Sequence, residues 1–164
     1  MTIEDVIVDE GAGTVTIPVT LSNPSDEDTI IEIVTTTGTA GEDDYEETIV
    51  TVTIPAGETE GEVIVPITED TTDEEDEIFT VDGTVTSGNT DNTDPSGTVT
   101  IIDNDDAPTV TIEDVIVDED AGTATVPVTL SNPSDEDTVI EIVTTTGTAG
   151  EDDYEETIVT VTIP

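Results

Sequence analysis

The sequence contains no lysine, arginine, histidine, cysteine or tryptophan. Without basic side chains no side-chain salt bridge can form, and the N-terminal amine is the one cation the chain owns. The same absence removes the usual general bases, the strongest nucleophiles and the cationic stabilisers of oxyanions, so an enzyme is not expected. Carboxylate pairs alone could serve glycoside hydrolysis, but no aromatic sugar platform accompanies them. Lack of thiols excludes disulfides and thiolate metal sites. Aromatic residues make up 2% of the chain, so any core must be built from aliphatic side chains. No apolar run approaches the ~18 residues of a membrane span, which argues against membrane insertion. Met1 leads straight into a strand-like pattern without a basic or apolar leader, so a secretion signal, if one exists, is expected outside this chain.

What is present is acid. The 164 residues include 43 Asp and Glu, for a formal net charge of −43. Charge of one sign opposes compaction, and salt screens it over roughly 8 Å at physiological ionic strength. Such a chain is either a solvated, disordered segment or a fold that recruits cations from outside. The regular strand patterning favours the fold. Nucleic acid and anionic membranes, themselves polyanions, are unsuitable partners.

An internal repeat organises the chain. Pro18 matches Pro127, an offset of 109, and residues 2–55 overlay residues 111–164 without a gap. Four positions differ: Gly11/Asp120, Val15/Ala124, Ile17/Val126 and Ile30/Val139. Residues 1–108 therefore read as one complete repeat ending in an acidic linker, and residues 109–164 as the first half of a second. We expect the chain to be a window on a longer tandem protein.

Seven strands are predicted in the complete repeat. Strand A covers about 2–8, and its alternation breaks at Glu4 and Asp5, which predicts a bulge or a strand that changes sheets. Strand B, about 13–21, sets Val15, Ile17, Val19 and Leu21 on one face. Pro18 in its middle predicts an edge position or a bulge. Strand C, about 29–37, is β-branched almost throughout. Strand D, about 48–54, has Val50, Val52 and Ile54 in phase. Strands E (60–67), F (78–86, with the lone Phe79) and G (97–102) follow. The second repeat holds strands A–D. No stretch has useful helical periodicity, and short strands between Gly, Pro, Asn and Asp turns predict an all-β sandwich in tandem repeats. Alternating threonines in strands B, D and G read as the outward face of β-branched strands, with O-glycans or ice as further possibilities. No Asn-x-Ser/Thr acceptor is present.

Three acidic clusters mark each repeat: 42–44, 69–77 and 103–106. In a seven-strand sandwich the C–D, E–F and post-G segments can share one end with the A–B turn at Asp9 and Glu10. Acids gathered there without basic residues call for cations, and hard oxygen donors suit calcium, which takes 6–8 of them.

The motifs Gly38-Thr-Ala-Gly-Glu-Asp-Asp-Tyr45, Pro55-Ala-Gly-Glu58, Ile67-Thr-Glu-Asp70 with Glu74-Glu-Asp-Glu77, and Val99-Thr-Ile-Ile-Asp-Asn-Asp105 resemble a Calx-β repeat. The resemblance spans residues 2–108 and the half copy. It implies a seven-strand immunoglobulin-like sandwich with calcium at one pole. By position it implies Glu10, Asp44, Glu69, Asp70, Glu74, Glu77, Asp103 and Asp105 as ligands, with Glu119 and Asp153 as the matching residues of the second copy. The calcium-sensing copies of sodium–calcium exchangers carry an unbroken Asp triplet where this chain has Asn104, and Asp where it has Thr71, which implies fewer ions. A cadherin repeat is a second resemblance, through Asp103-Asn-Asp-Asp-Ala-Pro108, although the cadherin Asp-Arg-Glu motif is absent.

The expected function is structural: a calcium-stiffened tandem segment of an extracellular or cell-surface fibre, filament, stalk or adhesin. Its partners would be calcium ions, neighbouring repeats and other copies of the same chain. The alternative is a calcium-sensing regulatory module whose interdomain angle changes on binding. Near-identical repeats favour the structural reading, since a sensor gains from domains of different affinity.

Overall fold

The computed structural model describes residues 1–164. Two compact units emerge, one from residues 1–70 and 75–104, the other from residues 71–74 and 105–164. The secondary structure is almost wholly strand, with two three-residue 3-10 turns. No helix is long and apolar enough to cross a membrane.

In the first unit, predicted strand A is divided. β1 (Thr2–Ile3) and β2 (Val6–Asp9) belong to different sheets, with the break at the acidic pair Glu4 and Asp5. Gly97 makes the crossing possible, since a Cβ there would stand 2.9 Å from the carbonyl oxygen of Glu4. β3 (Thr14–Thr20), β4 (Thr29–Thr37), β5 (Ile49–Ile54), β6 (Glu60–Pro66), β7 (Glu77–Ser87) and β8 (Ser96–Ile102) follow. They form a three-stranded sheet, β1-β3-β6, and a five-stranded sheet, β2-β8-β7-β4-β5. β2 and β8 pair in parallel and all other pairs are antiparallel. This is the expected all-β sandwich.

Alternation along each strand supplies the core, as a pleat with one covered face requires. Val15, Ile17 and Val19 of β3 meet Val63 and Val65 of β6, and Ile31, Ile33, Val81, Val99 and Ile101 come from the other sheet. The two aromatics stack, Tyr45 on Phe79, with ring centroids 4.0 Å apart and planes inclined by 12°.

Two expectations need correction. Pro18 lies neither on an edge strand nor at a bulge, because β3 is the middle strand of its sheet. Its carbonyl accepts from Glu4 N at 3.2 Å, so its own nitrogen points to the same side, where strand A leaves the sheet and asks for no donor. Val50 is 39% exposed, because β5 is the edge of a five-stranded sheet faced by only three strands.

The second unit carries β9 (Val110–Ile112) paired with β10 (Val128–Leu130), and β11 (Thr138–Val143) paired with β12 (Ile158–Ile163). Residues 115–118, which repeat β2, form no strand. In the first unit β2 is held by β8 alone, and the second copy has no counterpart of β8 within the chain.

Candidate metal centre

Two turns position the acids. β2 ends at Asp9, whose carboxylate accepts the N–H of Gly11 at 3.1 Å and caps the 3-10 turn Glu10–Ala12. Gly13 closes that turn in the left-handed region, at φ 72°, where a side chain would be strained. The turn presses Glu10 inward until only 7% of it is exposed. Its Oε1 accepts the N–H of Asp70 at 3.1 Å. Burial pushes the Glu10 carboxyl above the ordinary range; the Asp70 N–H pulls it back, and the charges of Asp70, Glu69 and Asp103 raise it further. With no basic side chain in the sequence, a proton or an external cation must neutralise it.

The second turn lies between β4 and β5. Gly41 N donates to Asp44 Oδ2 at 2.6 Å, and Asp44 N donates back to the Gly41 carbonyl at 3.4 Å. Tyr45 drops from this turn into the core, which leaves Asp44 at its rim. The same turn recurs in the second copy, where Gly150 N donates to Asp153 Oδ2 at 2.9 Å.

Two carboxylate groups result. Within the first unit, oxygens of Glu10 and Asp103 lie within 4.8 Å of each other, and so do oxygens of Asp44 and Glu77. Metal–oxygen bonds of ~2.3–2.6 Å put two ligands of one calcium ion at most about 5 Å apart, so both spacings fit that ion. All the donors are hard oxygens, which fits calcium and disfavours soft metals. These four residues were expected from sequence, as were Glu74 and Asp105, which belong to the other unit. Glu69 and Asp70 stand beside the first group, Asp70 through its bond to Glu10 and Glu69 as acceptor from Asn104 Nδ2 at 3.2 Å. Glu119 and Asp153 are exposed and join no group.

Sequence reasoning marked Asn104 as a missing charge and passed over it as a hydrogen-bond donor. Its amide donates to Glu69 and also to Asp9 Oδ1, at 3.4 Å. The available signal was one neutral amide in an otherwise acidic run, next to acids that need donors.

The fold and the loops define a β-sandwich repeat module with carboxylate-rich turns. The Calx-beta domain profile matches residues 2–105 and, a second time, residues 103–163. The chain belongs to the Calx-beta family, whose domains bind calcium. No curated protein matches it. Among solved structures, it resembles CBD12 from CALX1.2 at 21% identity and a TM-score of 0.55, covering 98% of this chain and 68% of that one. The calcium binding domain CBD12 of CALX1.1 is similar at 19% identity and a TM-score of 0.56, with the same coverage. The apo-form Calx CBD1 domain matches 63% of this chain and 96% of its own length, at 19% identity and a TM-score of 0.52.

Proposed function

We propose that the chain is a calcium-stiffened tandem segment of an extracellular fibre, stalk or adhesin. The observation that carries this reading is the buried Glu10 beside Asp103 in a molecule with no basic side chain. Calcium bound there would tie the A–B turn to the exit of β8, and so restrain the acidic linker that a bare chain would keep extended but flexible. Pro108 restricts the linker further by fixing its own φ. Repetition of one sequence at an offset of 109 suits a uniform rod better than a graded sensor. Catalysis has no part in this reading, given the missing bases and nucleophiles.

A calcium-responsive module that changes its interdomain angle is the second reading, favoured by likeness to the CBD12 structures along 98% of the chain. Scattering separates the two. A chain of several repeats is measured in calcium and in chelator, as wild type and with Asp103→Asn and Asp105→Asn together. The fibre reading expects a long maximum dimension in calcium that shortens with chelator or with the substitutions. Equal dimensions in all four samples would remove calcium from any mechanical role.

A further inference from the structure

Strands β6, β7 and β8 make one half of a sandwich whose other half the sequence supplies twice. In the first repeat they are held by residues 2–55: β3 pairs with β6 from Thr14↔Pro66 to Thr20↔Glu60, β4 pairs with β7, and β2 pairs with β8. Residues 111–164 repeat that partner with four exchanges. The side chains that the sandwich covers in the first copy lie open in the second: Val15 and Ile17 are buried, while Ala124 and Val126 are exposed. The linker is long enough to bring the second copy into the place of the first. A Cβ on Gly97 would touch Ile3 and Glu4, so strand A begins beside the start of β8. For Thr111 to stand where Thr2 stands, the chain leaving β8 at Ile102 must return along the seven residues of that strand, about 23 Å. The steps from Ile102 to Thr111 span about 30 Å when extended.

We infer that β6–β8 exchange residues 2–55 for residues 111–164 as their partner, so that one chain folds in two frames. The first frame runs through strands A–G in chain order. The second runs through E–G and then A–D, a circular permutation of the first, with the turn 55–59 opened and the linker 103–109 closed. The two closures differ by less than about twofold, because closure depends only weakly on length. The exchanged residues set the bias. Ala124 for Val15 and Val126 for Ile17 put smaller side chains at two positions that are buried in the first copy. Each buried carbon lost weakens the fold about fourfold, so the three carbons lost there favour the first frame about sixtyfold. Asp120 adds to that bias, since a Cβ at Gly11, its counterpart, would stand 3.0 Å from Glu69 Oε2. The second copy is thus a reserve partner, visited in a small fraction of molecules. In a tandem array each E–G half lies between two A–D halves, and damage to one is met by the other.

The test uses the full chain, which has no cysteine of its own. Thr16 and Ile64 are cross-strand partners on the outer face of β3 and β6, and Thr125 is the counterpart of Thr16. Ile64→Cys is combined with Thr125→Cys, and disulfide formation is followed in a dilute thiol–disulfide buffer, with the bonds mapped by mass spectrometry. Glu60→Cys with Thr125→Cys is the off-register control, about 13 Å from pairing in the second frame and too far for a disulfide. The in-register pair should close within monomers, well ahead of the control. Adding Val15→Ala, Ile17→Val, Asp120→Gly, Ala124→Val and Val126→Ile inverts the bias and should speed that closure about sixtyfold. An in-register rate no higher than the control overturns the inference, as does a disulfide found only in dimers. So does an inverted chain that closes no faster, or one that loses cooperative melting, since the second copy is then required to take over as partner. The measurement needs no bound calcium, so its failure leaves the proposed function standing, and failure of that reading leaves this one standing.

Discussion

Ile3 is 3% exposed and Ile112, its equivalent one repeat later, is 51% exposed. Ile17 is fully buried while Val126, in the same place, is 46% exposed. Local sequence cannot explain this, because the two copies differ at four positions and three of those exchange one small aliphatic residue for another. Partners explain it. In the first copy β3 lies against β6, β4 against β7 and β2 against β8. The second copy keeps its β11–β12 hairpin and the short β9–β10 pair, and no third strand pairs with either. Strand propensity and turn chemistry are thus enough for the hairpin, while burial needs the second half of the repeat.

The largest expected effect removes the contrast's context. Residues 1–108 expressed alone should melt in one cooperative transition, and residues 111–164 alone should show none. A folded, monomeric 111–164 fragment by NMR would break the comparison outright. Next comes the same substitution placed in each copy. Tyr45→Ala deletes a buried ring stacked on Phe79 and should cost about 3–5 kcal/mol. Tyr154→Ala, in a copy without a counterpart of Phe79, should cost less than about 1 kcal/mol. Equal losses would mean that the second copy holds a core of its own.

Calcium removal ranks third. A site saturated at a hundredfold excess over its dissociation constant adds about 2.7 kcal/mol. For a domain of this size each kcal/mol moves the melting point by roughly 4–8 °C. Chelation should therefore lower the transition of residues 1–108 and leave the far-ultraviolet signal of the 111–164 fragment unchanged. Identical melting of 1–108 in calcium and chelator at low ionic strength would contradict the site.

The smallest effect is one of pH. The folded protein holds the Glu10 carboxyl above its ordinary range, first through burial. The protonated form therefore suits the fold better than the charged form. Glu10 contributes most at pH below the ordinary carboxylate range, and that contribution is lost as pH rises through its folded value. Without calcium, the stability of 1–108 should fall as pH climbs from the ordinary carboxylate range towards neutrality. Glu10→Gln should flatten part of that slope. A slope unchanged in Glu10→Gln would show that the general acidity of the chain, and not this buried acid, governs the dependence.

The sandwich was legible because β-branched alternation and Gly/Pro turns fix strands almost by themselves: the stretch 29–37 is predicted and found as β4. The division of strand A was readable as a break at Glu4 and Asp5, but the close approach it makes to Gly97, far away in sequence, was not. Pro18 misled because the rule about proline assumes full pairing on both sides, and strand A departs at that residue. Tyr45 was read as part of a motif, and its place in the core appears only once Phe79 is brought under it. At the acidic end, residue type identified the donors. Their division into two groups and an amide-held pair depends on turn geometry that composition does not encode.

The parallel pairing of β2 with β8 has a mechanical consequence. Val6–Asp9 and Val99–Ile102 run side by side in the same direction, near the beginning and the end of the first repeat. A force drawing these two segments apart along the chain therefore loads them in shear. The ladder from Val6↔Val99 to Asp9↔Ile102 must then slide as a block, with its bonds sharing the load, and cannot open like a zipper one pair at a time. Resistance to pulling is governed by the height of the unfolding barrier and is separate from equilibrium stability. A module clamped in this way can hold under tension even when its aliphatic core is modest.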